Sequence, residues 1–230
     1  ARSEAPPRPP RRQTGLVLET GTHVPAGVAI VVASATGDCT IFDAASDDAA
    51  NRLELCHGYP SPAADAARPR IALFQPARGR GPATVHRGKT RSNGAVHVYT
   101  VALARKDPKG TGAQADLVAD VFVDGVPEIE GKPLEKSRGF SDRVVLAADH
   151  LGRWPLRGVI HDFALFSGTV PAAFVRGVER ALADEYGVDV GEPDDAEAAT
   201  PDAPSENDEF FDAEDDDDFD DEDEDDDGDQ

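Results

Sequence analysis

Residues 97–106 are HVYTVALARK and residues 115–125 are ADLVADVFVDG, and these two segments decide the class of fold. From Leu117 to Val123 an apolar side chain falls on every second position, while Asp116, Asp120 and Asp124 fall on the other face. Such alternation is the period of a β-strand with one face in the core. The segment is therefore predicted to be a strand that ends in a tight turn at Asp124 and Gly125.

Similar short runs, rich in β-branched residues and separated by Gly, Pro, Asp or Asn, continue on both sides of these segments. Their spacing is typical of a many-stranded antiparallel sandwich. The predicted strands are Gly15–Leu18, Val28–Ser34, Thr40–Ala44, Arg52–His57, Arg70–Gln75, Thr84–Arg87, Ala95–Ala104, Ala115–Asp124, Arg143–Ala148 and Val159–Ser167. The expected fold class is all-β, with the domain over residues 14–190.

One helical pattern follows the last strand, between Pro171 and Tyr186. Its apolar residues recur at every fourth position and are Phe174, Val178, Leu182 and Tyr186. The charged residues predicted to lie off this stripe are Glu179, Arg180, Asp184 and Glu185. Pro suits a first helical turn and Gly187 suits a left-handed cap, so one amphipathic helix is predicted.

Charge divides the 230-residue chain into three parts. The formal net charge is −22, but residues 192–230 hold 23 of the 45 acidic residues and none of the 23 basic ones. Residues 1–13 form a Pro- and Arg-rich arm of charge +3. Both ends are predicted to be disordered. The overall charge makes nucleic acid an unlikely partner, and no apolar run reaches the roughly 18 residues of a membrane span.

The two cysteines lie in neighbouring predicted strands. If these strands pair about a centre between Asp47 and Asp48, Phe42 faces Leu53 and Cys39 lies opposite Cys56. Directly opposed Cβ atoms are close enough for a bridge with small adjustment. This register predicts a Cys39–Cys56 disulfide and an extracellular compartment, and the alternative is two reduced thiols in a cytosolic protein.

From Val96 onward the chain resembles the second half of a concanavalin A-like, laminin-G-type jelly roll. The resemblance is carried by the strand pair quoted above, RVVLAADHLGRW at 143–154, the strand residues Gly158, Ile160 and Phe166, and ERALADEYGV at 179–188. Asp162 preceded by His161 replaces a frequent Glu of the family, and Ala147 replaces a frequent Gly. The resemblance implies a two-sheet antiparallel jelly roll and a binding or adhesive module, although some related sandwiches are glycosidases.

A ligand patch is predicted at the sandwich rim, in the loop HLGRWPLRG. A sugar ring stacks on an indole while polar side chains bind its hydroxyls, so Asp149, His150, Arg153 and Trp154 are the predicted ligand-binding residues. The structural alternative is that Trp154, the only tryptophan, covers an end of the core against the helix.

Catalytic and metal sites have weaker signals. Retaining glycosidases need two carboxylates about 5–5.5 Å apart, and the nearest candidates, Asp116, Asp120 and Asp124, are interpreted as a solvated strand face. No zinc-ligand spacing is found among His23, His57, His86, His97, His150 and His161. No cofactor is therefore predicted, but Ca²⁺ stays open because these loop acids could bind it: Asp38, Asp47, Asp48, Asp142 and Asp149.

The acidic run from Glu206 to Asp229 is interrupted by Phe210, Phe211 and Phe219. Such composition suits a tail that collects a basic protein partner and anchors an aromatic ring. The alternatives are a solubilising or calcium-buffering tail, or one that folds back on arginines of the N-terminal arm, Arg8, Arg11 and Arg12.

The favoured function is a non-enzymatic binding or structural module, lectin-like or adhesive, that meets a glycan or protein surface as part of a virion or cell-surface assembly. The alternative function is a scaffold or chaperone that binds a basic protein through the acidic tail.

Overall fold

The computed structural model of the chain describes residues 15–19, 21, 24, 26–45, 52–58, 69–75, 83–105, 117–134 and 139–191. These residues form eleven strands and one helix. The elements are β1 Leu16–Glu19, β2 Gly27–Ala35, β3 Cys39–Ala45, β4 Arg52–His57, β5 Arg70–Gln75, β6 Thr84–Arg91, β7 Val96–Arg105, β8 Leu117–Val123, β9 Val126–Leu134, β10 Arg143–Leu146, β11 Gly158–Ser167 and α1 Ala172–Tyr186.

The strands form two antiparallel sheets that face each other. The six-stranded sheet has the order β1-β10-β3-β4-β5-β6, and the five-stranded sheet has the order β11-β2-β7-β8-β9. Every pairing in both sheets is antiparallel. The predicted all-β, two-sheet sandwich is confirmed, as is the single helix that follows the last strand.

The core lies between the inner faces of the sheets. It is built from alternate residues of facing strands, such as Leu53 and Leu55 of β4 against Val101 of β7. The alternation predicted for Leu117–Val123 is confirmed, because its odd-numbered residues are buried and its even-numbered ones are partly exposed. Asp124 and Gly125, with φ of 52° and 74°, make the predicted turn.

The strand β9 was not predicted from the sequence. It contains Pro127, Gly131 and Pro133, which weaken a strand pattern because proline donates no ladder hydrogen bond and glycine packs no side chain. Its position at the edge of the five-stranded sheet explains why these residues are accepted there.

Helix α1 covers the outer face of the five-stranded sheet. Pro171 precedes it and Gly187, at φ 66°, ends it in the left-handed region, as predicted. The predicted apolar stripe is wrong in two places. Phe174 is 50% exposed, and Glu179, expected at the surface, is 2% exposed and accepts a 2.6 Å hydrogen bond from the Thr100 hydroxyl. Because the helix lies over a polar threonine, a buried glutamate fits where the pattern suggests none.

The predicted disulfide is wrong. Thr40 pairs with Cys56 and Cys39 pairs with His57, and a bulge between Thr40 and Phe42 interrupts the register. Since neighbouring residues on a strand point to opposite faces, Cys39 lies on the face opposite to Thr40 and its partner Cys56. Both thiols are buried and reduced, and burial raises the pKa of Cys39 to about 11.

The residue that follows strand β10 is strained. Ala147 has a φ of 65°, in the left-handed region, while its amide donates to the Ile41 carbonyl and its own carbonyl accepts from Leu156. This conformation costs an L-residue about 1–2 kcal/mol, whereas glycine adopts it freely.

We therefore expect Ala147→Gly to raise the free energy of unfolding by roughly 0.5–1 kcal/mol, after the added flexibility of the unfolded chain is subtracted. Urea denaturation measures the change. Ala181→Gly, the same substitution at an exposed position inside α1, should lower the free energy by about 1 kcal/mol. Equal destabilisation by both variants would contradict the strain.

Candidate ligand-binding site

The chain between β10 and β11, residues 147–157, passes from one sheet to the other and is called here the crossover loop. Its backbone is tied to the body at three places. The amide of Ala147 donates to Ile41, the amide of Thr40 donates to the Trp154 carbonyl at 2.9 Å, and the amide of Thr36 donates to Arg157 at 3.0 Å. The loop is therefore held against the ends of β2 and β3.

Asp149 shapes the crossover loop from within. Its side chain is fully buried; one carboxylate oxygen accepts the amides of Leu151 and Arg153, and the other accepts Arg153 Nε at 2.9 Å. Gly152 at φ 69° and Trp154 at φ 54° complete the turn. Asp149 is thus engaged in the structure of the loop rather than presented to solvent.

Beneath the loop, the outer face of the six-stranded sheet carries a buried charged network. Arg52 on β4 donates its Nε–H to Asp43 on β3 at 2.8 Å and an Nη2–H to Glu54, two residues further along β4, at 2.5 Å. The same Nη2 lies 3.8 Å from Asp149. Asp43 and Glu54 are directly opposite in the strand register. We call Asp43, Arg52, Glu54 and Asp149 the buried network.

One carboxyl group of the buried network, that of Glu54, has a pKa near neutral pH. Glu54 also accepts the Thr40 hydroxyl at 2.5 Å. Burial raises the pKa of Glu54 to about 7; the Arg52 guanidinium opposes this rise, and the Asp43 charge adds to it. The guanidinium of Arg52 lies over the Phe74 ring, 5.1 Å from its centre, which supports it from below.

His150 links the crossover loop to this network. Its backbone amide donates to Asp43 Oδ2 at 2.8 Å, and its ring Nδ1 lies 3.0 Å from the same oxygen. The ring is 12% exposed. His150 lines a shallow depression, open to solvent, whose walls include Val17 of β1 and Arg143 of β10.

The outer edge of the loop is exposed. Arg153 has a 48% exposed side chain, Trp154 is 42% exposed and Leu151 is 57% exposed. The hydrophobic cluster beneath α1 does not include Trp154 within the described residues. Both interpretations of Trp154, as a ligand contact and as a cover for an end of the core, stay predictions.

The structure brings the four predicted site residues together on one loop, but in two roles. His150, Arg153 and Trp154 face the surface, while Asp149 is buried below them. Sequence reasoning missed Asp43, Arg52 and Glu54. The sequence does show these three as polar residues within two otherwise apolar strands. Polar residues in such positions usually indicate a strand face exposed to solvent, so they were not predicted as part of a site.

Asp120 and Asp124, interpreted from the sequence as part of a solvated strand face, both make local contacts in the described part of the chain. Asp120 accepts the Gly131 amide at 2.6 Å, and Asp124 contacts His97 Nδ1 at 2.6 Å. Both thus serve the local structure of β-hairpins. Asp116 lies outside the described residues.

Of the acids considered for Ca²⁺, Asp38, Asp142 and Asp149 are described and Asp47 and Asp48 are not. Within the described part of the chain, no three His, Cys, Asp or Glu side chains are grouped as metal ligands. In the same part, no helix has the length and apolarity that a bilayer crossing requires. The predicted arm and the tail residues Phe210, Phe211 and Phe219 also lie outside the described residues.

No protein-family model and no curated protein sequence matches the chain. Among solved structures, it is similar to the Ruminococcus gnavus IT-sialidase CBM40 bound to alpha2,3 sialyllactose, with a TM-score of 0.49 and 10% identity over 73% of this chain and 92% of that one. It is also similar to domains LG4-5 of the mouse laminin alpha1 chain, with a TM-score of 0.44 and 12% identity over 69% of this chain and 42% of that one. These likenesses concern the fold alone.

Proposed function

We propose that the chain is a non-enzymatic binding module whose ligand site is the crossover loop and the depression beside it. The ligand class is a glycan or another polyhydroxylated surface. The carrying observation is that the buried network holds the loop from below while Arg153 and Trp154 are exposed and the His150 ring is 12% exposed. An aromatic face beside hydrogen-bonding groups is the combination that sugar rings require.

The burial of the paired carboxylates supports binding rather than hydrolysis. Asp43 and Glu54 are 0% and 2% exposed, and both are engaged by Arg52. A glycosidic bond cannot reach them without opening the sheet face, and a glycosidase needs both carboxyl groups at the bond. A position on a virion or cell surface, and the binding of a basic protein through residues 191–230, stay predictions of the sequence.

The full chain tested on an array of immobilised oligosaccharides should bind at least one of them. Because Trp154 is the only tryptophan, its fluorescence should then change saturably when the same sugar is titrated in solution. We expect Trp154→Ala and Arg153→Ala each to weaken binding roughly 10-fold or more, since each removes a stacking face or a charged donor.

Phe174→Ala is the matched control for the aromatic substitution, because Phe174 is 50% exposed and lies on α1, away from the loop. Its binding should equal that of the wild type. An array without any bound sugar, or equal affinities for all three variants, would contradict the proposed function.

A further inference from the structure

We infer that Asp43 fixes the His150 ring as the Nδ1–H tautomer, so that Nε2 meets the ligand as a hydrogen-bond acceptor and the site selects a neutral ligand with a hydroxyl donor. The ligand part of this inference rests on the proposed function. Asp43 is then a positioning residue, since it acts through His150 and not on the ligand.

The direction of the hydrogen bond follows from what else reaches Asp43 Oδ2. That oxygen lies 2.8 Å from Arg52 Nε and 2.8 Å from the His150 amide nitrogen. Both groups carry a hydrogen and can only donate. An oxygen that already receives two N–H groups is an acceptor, so the third neighbour, His150 Nδ1 at 3.0 Å, must donate as well.

The tautomer follows from that donation. In a neutral imidazole one ring nitrogen carries the hydrogen and the other offers a lone pair. With the hydrogen on Nδ1, Nε2 of His150 is the acceptor. Among the described residues Nε2 has no hydrogen-bond partner, and the ring lines the depression.

The surroundings of Nε2 restrict the ligand further. Arg143 lines the same depression. Arg153 donates its Nε–H to Asp149, and because its side chain is 48% exposed, its terminal N–H groups can donate to a ligand oxygen. A cationic donor such as an ammonium group would be repelled by the exposed Arg153 guanidinium on the same loop. A sulfate or carboxylate group would place acceptor oxygens against the lone pair of His150 Nε2, where no hydrogen is available for a bond. A hydroxyl group can donate to Nε2, so a neutral saccharide supplies the donor that this acceptor needs.

The first test needs no ligand. Long-range ¹H–¹⁵N correlation spectra of the full chain with ¹⁵N-labelled histidine, recorded near pH 9 where imidazoles are neutral, assign the tautomer. We expect His150 to be protonated on Nδ1, and Asp43→Asn, which weakens the acceptor, to raise the share of the Nε2–H form. An Nε2–H ring in the wild type would overturn the inference, even if Asp43→Asn does not fold.

The second test uses a saccharide that the array identifies, its monodeoxy analogues and its sulfated counterpart. One deoxy analogue should bind the wild type roughly 10-fold more weakly. That difference should disappear in His150→Phe, which keeps a ring but has no acceptor. The sulfated sugar should bind no more tightly than the neutral one.

A tighter, salt-sensitive complex with the sulfated sugar, or a deoxy effect that persists in His150→Phe, would overturn the ligand class. Absence of binding to every sugar would instead overturn the proposed function and the ligand class together. The spectra decide the tautomer in either case, so the two failures are distinguishable.

Discussion

Glu54→Gln should make the stability of the chain rise with pH by about 2 kcal/mol between pH 5 and 6.5, a range over which the wild type should change little. The reason is that two buried groups oppose each other. Burial raises the pKa of Glu54 to about 7, and burial lowers the pKa of His57, which lies in the core 3.1 Å from the Tyr99 hydroxyl, to about 4.

The signs follow from which state holds the proton. Glu54 binds a proton more tightly in the folded chain, so its contribution is full below pH 4.5 and is lost as the pH rises through about 7. His57 binds a proton less tightly in the folded chain, so its contribution is full above pH 6.5 and is lost as the pH falls through about 4. In the shared interval each group changes stability by about 1.4 kcal/mol per pH unit, in opposite directions.

Urea denaturation at three pH values separates the two groups. In Glu54→Gln only the contribution of His57 remains, so stability should rise with pH. In His57→Gln only the contribution of Glu54 remains, so stability should fall with pH. Glu130→Gln, the same change at an exposed position of β9, should keep the wild-type pH profile. Parallel profiles for all four proteins would show that neither group is linked to folding.

Elements with local signals were predictable from the sequence. The turn at Asp124 and Gly125 and the ends of α1 at Pro171 and Gly187 are set by residues whose backbone preferences do not depend on distant contacts. The alternation of β8 was predictable for the same reason, since one face of it packs on the core. These features fixed the all-β class and the place of the helix.

Features that depend on contacts across the sheet were not predictable. The bulge in β3 places both Ile41 and Phe42 in the core, although strict alternation would allow only one of them. The strand pair already differs from the predicted register at Phe42, which pairs with Leu55 and not with Leu53, and beyond the bulge Cys39 lies opposite His57, a pairing that no local pattern contains.

The candidate site likewise has a part that was predictable from the sequence and a part that was not. Asp149, His150, Arg153 and Trp154 were found because they are polar or aromatic residues of one loop. Their support was missed because Asp43 and Arg52 become a site only when two strands and the crossover loop meet.

Arg52→Met should lower the free energy of unfolding by about 3–5 kcal/mol, because it leaves buried carboxylates without their cation. Arg52 is 9% exposed and lies within 4 Å of all three acids of the buried network. Glu54 can adapt by keeping its proton, since its pKa is already near 7. Asp43, which is fully buried, would then carry most of the loss, because Asp149 keeps its 2.9 Å bond from Arg153 Nε.

Arg153→Met is the matched control, because Arg153 contacts the same Asp149 from a 48% exposed position. Water screens that pair and Arg52 stays in place, so the expected cost is below about 1 kcal/mol. Asp43→Asn added to Arg52→Met should restore part of the stability, because it removes the buried carboxylate charge that has lost its Arg52 partner. Chemical denaturation of the four proteins measures these differences. Equal costs for the two arginine variants would mean that the network contributes no more than a surface ion pair, and the crossover loop would then need another anchor.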